Sequence, residues 1–249
     1  MIKTSILFLG FLLSFCIVNG QDDYRQENFI AVGFSYGIDI PFGELADRFG
    51  SNFRATVSVD LFNAEKKLLW GLEGGILFGD NVREDVIAPL RLDNGRIIGN
   101  NGQLADVFLR ERGTFLGLYA SKVLLAAKEN PHAGLALGLG VGLLQHNIRI
   151  QDELRNASHF SGDYDKGYDR NTLGPYIKQV LKYQNIGKKK TVNYELALTI
   201  TEGFTKNTRS INFDTKLLDN DRRLDILVGL SAKWFIPIID LRETNEIFY

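Results

Sequence analysis

The chain has 249 residues, 45% of them apolar and 24% charged, and its formal net charge is -1. This composition excludes a disordered or collagen-like polymer, and a single cysteine excludes a disulfide scaffold. Near-neutral charge leaves no basic field to attract nucleic acid, so no nucleic-acid partner is expected.

The chain opens with Lys3, an apolar run from Ile6 to Val18, then Asn19, Gly20 and the polar Gln21, Asp22 and Asp23. Charge, apolar stretch and small residue in that order predict a secretory signal peptide over 1–20, cleaved, with one domain over 21–249. Lipidation at Cys16 is disfavoured because bulky Phe15 precedes it, where a lipoprotein signal wants a small residue.

Period-two alternation then recurs along the chain, in eight runs. At 29–40, Ile30, Val32, Phe34, Tyr36, Ile38 and Ile40 share one face, opposite Ala31, Gly33, Ser35, Gly37 and Asp39. At 52–62, Phe53, Val57, Val59 and Leu61 oppose Arg54, Thr56, Ser58 and Asp60. At 68–79, Trp70, Leu72, Ile76 and Phe78 oppose Gly71, Glu73, Gly75 and Leu77. A strand at 113–124 is predicted without a defined phase. At 133–146, Leu135, Leu137, Leu139, Val141 and Leu143 oppose Ala136, Gly138, Gly140, Gly142 and Leu144. The run at 174–186 is also less clean and its exact phase is not defined, with Ile177, Leu181 and Tyr183 set against Lys178, Lys182 and Gln184. At 191–204, Tyr194, Leu196, Leu198 and Ile200 oppose Glu195, Ala197, Thr199 and Thr201. At 222–236, Leu224, Ile226, Val228, Leu230 and Trp234 oppose Asp225, Leu227, Gly229, Ser231 and Lys233.

Three features make these the walls of a membrane barrel. Most runs exceed ten residues, whereas soluble strands cluster near five or six. The bulky face is uniformly apolar, and the other is Gly, Ala, Ser, Thr and scattered charge, which suits a narrow interior better than a solvated surface. Long connections (41–51, 80–112, 147–173 and 205–221) alternate with short ones (63–67, 125–132 and 187–190), the outer-membrane pattern. The expected fold is all-β: an eight-stranded antiparallel transmembrane up-and-down β-barrel with long external loops and short periplasmic turns. Trp70, Trp234, Tyr183 and Tyr194 are expected at the periplasmic rim, and Phe53, Phe78, Phe115 and Tyr176 at the external rim.

With these phases the interior holds Asp39, Asp60, Glu73, Glu195 and Asp225, balanced by Arg54, Lys178, Lys182, Lys233 and, phase permitting, Lys122. An eight-stranded barrel has room inside only for side chains, so paired charges filling the lumen are expected rather than a diffusion pore.

The segments Gly37–Gly50 (GIDIPFGELADRFG), Gly203–Asp214 (GFTKNTRSINFD), Arg223–Gly229 (RLDILVG) and Lys233–Pro237 (KWFIP) resemble the small outer-membrane barrels of the Bacteroidota, the broad PorT-like or OmpA-type group. The resemblance spans the predicted domain. It implies an eight-stranded barrel in the bacterial outer membrane, and some relatives serve secretion or gliding machinery.

Chemistry-bearing constellations are sparse. His132 falls in a predicted short turn, His146 at the external end of a strand facing in, and His159 in a long loop beside Ser158 and Ser161. Solvated or rim-anchoring histidines are the ordinary reading. A membrane-rim hydrolase or acyltransferase acting on lipid would need His146 beside a loop serine and a carboxylate, a set that only geometry can reveal. Asp163, Asp165 and Asp169 cluster as a hard cation would require, but the spacing is not that of an EF-hand, and Lys166 and Arg170 interleave, so a solvated polar loop is expected. Asn156 begins a glycosylation sequon, which means little in a bacterial outer membrane. No catalytic, cofactor-binding or metal-binding residues are assigned, and no cofactor. The loop at 80–112 mixes Val86, Ile87, Leu90, Ile97, Ile98, Phe108 and Leu109 with charge, fitting either a lid over its own barrel or a docking surface. The sequence therefore points to a non-enzymatic structural or accessory barrel, in a secretion or surface-assembly machine by the resemblance. The expected partners are outer-membrane lipid and other outer-membrane or periplasmic proteins.

Overall fold

A computed structural model describes residues 28–100, 102–128, 130, 132–152, 157, 160, 164–186, 193–209 and 211–241. The predicted signal peptide lies outside the described residues.

Eight long strands form the wall: β1 (Asn28–Gly43), β2 (Asn52–Asn63), β3 (Leu68–Gly79), β6 (Val107–Ala126), β7 (Gly134–Asp152), β8 (Thr172–Asn185), β9 (Tyr194–Asn207) and β12 (Arg222–Leu241). Each pairs antiparallel with its neighbours in sequence, and β1 pairs with β12, so the sheet closes and leaves no edge. The eight predicted runs are these strands. The wall extends further at the long-loop end than the alternation suggested, with 20 residues in β6 and 19 in β7. A membrane strand needs only about 9–11 residues in hydrocarbon, so these strands stand well clear of such a layer. Among the described residues no helix is long and apolar enough to cross a membrane.

Outside, the wall is a continuous apolar belt. Phe34, Tyr36, Val57, Leu72, Leu118, Leu139, Val141, Leu198 and Leu230 all stand exposed on it. A water-soluble protein rarely shows contiguous apolar surface beyond a few hundred Å². Trp70, Trp234, Tyr183 and Tyr194 face outward at the short-turn end, where the rings of Tyr183 and Tyr194 lie 6.3 Å apart. Phe53 and Phe78 face outward nearer the long-loop end, as predicted.

Three expectations about the wall are corrected. Phe115 and Tyr176 point inward and pack against each other at 6.5 Å, so they belong to no outer ring. Lys122 points outward, with Ser121 and Val123 taking the inward positions. Both changes on β6 have one cause. That strand carries bulky groups on both faces, Phe115 and Tyr119 inside against Leu116 and Leu118 outside, so alternation could not phase it. A register shift between Val123 and Leu125 then leaves Leu124 and Leu125 both exposed.

The room for Tyr176 is made by glycine. Gly117 and Gly142 are register partners, and the Tyr176 ring lies across them. A Cβ on Gly117 would overlap the Tyr176 hydroxyl, and one on Gly142 would overlap the Leu116 carbonyl.

The long connections carry structure that period two could not announce. A short helix, α1 (Glu44–Arg48), follows β1. Two small hairpins rise from the loops, β4 (Ile97–Ile98) with β5 (Leu104–Ala105), and β10 (Ile211–Asn212) with β11 (Leu217–Leu218). With strands this short, alternation has nothing to repeat.

Candidate functional site

The interior and its cap hold the protein's polar chemistry, arranged in tiers along the barrel axis. At the short-turn end Phe29 stacks on Phe62 at 4.5 Å, and Phe235 meets Phe62 edge-on at 5.5 Å. His132 lies edge-on to Phe29 and Phe62 at 5.4 and 5.7 Å, and it is buried. The expectation of a solvated turn histidine is overturned because the turn folds back under the barrel. Gln184 donates to the His132 carbonyl at 2.9 Å and Asn130 to that of Ile186 at 3.0 Å, fastening the turn inside.

Above this aromatic floor the predicted charges meet. Lys182 pairs with Glu195 at 2.7 Å, Lys233 with Asp60 at 3.6 Å, Lys178 with Glu73, and Arg54 with Asp39 at 2.9 Å. Every interior charge named from the sequence is buried here except Lys122. Tyr119, unrecognised in the sequence, is the hub. Its hydroxyl donates to Asp60 and accepts from Lys233 at 2.8 Å. The ammonium groups of Lys233, Lys178 and Lys182 lie 4.8, 5.1 and 5.9 Å from its ring centre, a cation–π arrangement that is worth most when desolvated. Five carboxylates with their cations would be costly to bury singly; paired and hydrogen-bonded, they are tolerated.

Nearer the long loops a second knot centres on Asp225, which is fully buried. It accepts from Arg48 at 2.8 Å, from Thr205, and from the His146 Nε2 position at 2.8 Å. Thr172 Oγ lies 2.9 Å from the same ring nitrogen. Arg48 arrives from α1, a segment whose inward turn no strand pattern could show. Glu111, missed because it fell in the expected loop at 80–112 whereas β6 begins at Val107, has its carboxylate hydrogen-bonded by the Asn52 amide at 3.0 Å.

His146 faces inward as predicted, and it does have a carboxylate and a hydroxyl for company. The set is nevertheless closed. The hydroxyl belongs to Thr172, which is fully buried, and the Phe49 ring covers the imidazole edge-on at 5.6 Å. His159, Ser158 and Ser161 lie outside the described residues.

Over this knot sits an apolar lid of Leu45 from α1 and Phe49 just after it, Val86, Ile87 and Ile97 from the loop after β3, and Leu144, Ile148 and Leu227 from the wall. Part of that loop is therefore a lid over its own barrel. Val86, Ile87 and Ile97 fold inward, whereas Leu90, Ile98, Leu104 and Phe108 face out. The loop of Asp165 and Asp169 is not simply solvated. Arg170, buried at its end, pairs with Glu84 at 2.7 Å and Asp214 at 2.6 Å and so ties three long loops together. Burial alone would lower the Arg170 pKa, but Asp214 and Glu84 hold it above its ordinary value. Asp169 binds Arg209 at 2.6 Å, which raises the Arg209 pKa. Asp163 lies outside the described residues.

Among the described residues, two cavities in the polar tier measure about 30 and 10 Å³, enough for a water or so. In a planar bilayer the protein is expected to give no open-channel current. Steady conductance steps at neutral pH would overturn the filled lumen.

No family model matches the chain, and no curated protein does. Among solved structures it is similar to the N-terminal β-barrel domain of Pseudomonas aeruginosa OprF, at 11% identity and a TM-score of 0.40, covering 83% of this chain and 97% of that one. It is also similar to Ail, the attachment invasion locus protein of Yersinia pestis, crystallised with the heparin analogue sucrose octasulfate. There the identity is 8% and the TM-score 0.38, with 84% of this chain and 98% of that one covered.

Proposed function

We propose that this chain is a non-enzymatic β-barrel of the bacterial outer membrane, a structural or accessory subunit that presents a rigid loop cap to a partner. The observation that carries this reading is the pairing of a packed interior with an apolar exterior. The belt calls for lipid, while the lumen is too full to conduct and its one histidine–carboxylate–hydroxyl set is sealed under Phe49. A lipid-modifying enzyme would have to expose that set to its substrate.

The cap supports a binding role. Arg170 locks its loops, and Leu217 and Leu218, the second strand of the hairpin β10–β11, stand 66% and 70% exposed. Apolar side chains held exposed on a loop hairpin suit contact with another protein better than contact with water. Membership of a secretion or surface-assembly machine, and kinship with the PorT-like barrels of the Bacteroidota, complete the proposal and rest on the sequence resemblance.

Gentle affinity purification of the tagged chain from its own outer membrane tests it. A stoichiometric partner is expected with the native chain and not with Leu217→Ser/Leu218→Ser. A clean monomer in both cases would defeat the accessory role. Lipid altered by the native chain but not by His146→Ala would establish the enzyme instead.

A further inference from the structure

The outward wall above the belt carries an arrangement that neither the filled lumen nor the loop cap explains. Arg110 on β6 and Arg149 on β7 are register partners, and both face outward. Like charges directly opposite on one sheet face destabilise it. Arg112, two residues along the same face, brings a third guanidinium, paired in register with Asn147 on one side and Phe78 on the other. Asp80 neutralises Arg110. Arg112 donates to the Glu111 carbonyl at 2.6 Å, but no described carboxylate lies within ion-pair distance of it.

Beside this cluster opens a cleft of about 470 Å³, lined by Ile76, Phe78, Arg112, Thr114, Gln145 and Asn147. Thr114 bonds Gln145 at 3.2 Å and Gln145 bonds Asn171 at 2.7 Å, so the polar floor is held in place. Along the same face, going down the barrel, Leu116, Leu118, Leu143 and Val141 follow without interruption into the belt.

We propose that this cleft binds the phosphate of an anionic membrane lipid, with Arg112 in its lining and Arg149, two residues beyond Asn147 on β7, at its edge as the cationic contacts, and the lipid tails lying along Leu116, Leu118, Leu143 and Val141. Guanidinium is suited to phosphate because its planar fork can donate two parallel hydrogen bonds. The anion would also relieve the repulsion between the arginines. A membrane lipid is the occupant rather than a free anion because Ile76 and Phe78 line the cleft and the paired Leu116 and Leu143 continue its face into the belt. This inference rests on the membrane reading above and adds a ligand to it.

The test uses the full chain in detergent micelles, checked for folding by its unheated gel mobility, with bound lipid counted by native mass spectrometry. The probes are phosphatidylglycerol, phosphatidylcholine and inorganic phosphate. Phosphatidylglycerol is expected to be retained over phosphatidylcholine. Its retention should fall about fivefold for each of Arg112→Gln and Arg149→Gln, fall less in Arg112→Lys, which keeps the charge but loses the fork, and stay unchanged in Lys216→Gln on the loop cap. Equal retention of the two lipids, equal retention by the double arginine variant, or displacement by inorganic phosphate at matched concentration would each overturn it. A chain that enters lipid vesicles yet fails these criteria defeats this inference alone; one that never enters vesicles defeats the membrane reading with it.

Discussion

Replacing Val141 with arginine is expected to cost about 2–4 kcal/mol of folding free energy in a lipid bilayer, the penalty for a cation at mid-depth on a barrel's lipid face. Val141 stands on the outward face of β7, 56% exposed, between Leu139 and Leu143 along the strand and Leu118 and Ile177 across it. None of these neighbours can pair with a guanidinium, and the nearest outward polar position on the strand, Gln145, lies four residues away. In water the same substitution on an exposed strand would cost little, so the size of the loss reports the surrounding medium. Val141→Leu, which keeps the face apolar, is expected to change stability by less than about 0.5 kcal/mol. A Cβ at neighbouring Gly140 would act differently, pressing on Tyr119 and on the Lys178 stem at 3.2 and 3.3 Å. Urea titration of the chain folded into vesicles measures all three. An arginine variant as stable as the native chain would mean that this face does not meet hydrocarbon.

The strand faces were legible because a barrel this narrow imposes one rule at every position: bulky and apolar outside, small or charged inside. Six runs obeyed it clearly enough to fix their phase, and with the less clean run at 174–186 they gave most of the charges buried inside the wall. The rule fails where both faces are bulky. On β6 the inward Tyr119 and Phe115 fill a space that elsewhere goes to serine or glycine, so Tyr119 was lost and Lys122 misplaced, while Glu111 was lost because the strand runs past 113 into the expected loop. It is silent about anything that enters from a connection. Arg48 reaches Asp225 because α1 turns back into the mouth, and His132 is buried because its turn does the same at the other end. Both are tertiary facts, set by which loop happens to cover an opening. The loop cap was half legible: the apolar content of residues 80–112 implied packing, but only the fold could separate Val86, Ile87 and Ile97 inside from Leu90, Ile98 and Phe108 outside.

Removing the Asp225 carboxylate should be among the most damaging single changes in the interior. Asp225→Ala is expected to cost about 3–5 kcal/mol, because it leaves a buried guanidinium without its counter-charge. Arg48 is 5% exposed, and its Nε and Nη1 already find no partner, so the bond from Nη2 to Asp225 is its one anchor among the described residues. His146 and Thr205 lose an acceptor in the same step. Much of the loss is therefore the stranded charge rather than the net worth of the pair. The variant Arg48→Met/Asp225→Leu, apolar on both sides, should accordingly recover part of it. The coupling between the two positions is expected at about 1–3 kcal/mol. Arg48 is a polar link from α1 to the wall, beside the bond from the Leu224 N–H to Glu44 at 3.0 Å, so Asp225→Ala should loosen the lid before it opens the barrel. Limited proteolysis would then cut at 83–106 at a denaturant concentration where the native loop resists. If the single variant lost less than about 1 kcal/mol and the loop stayed protected, water would already be reaching the knot. The lid of Leu45, Phe49 and Ile87 would then be resting on the barrel without sealing it.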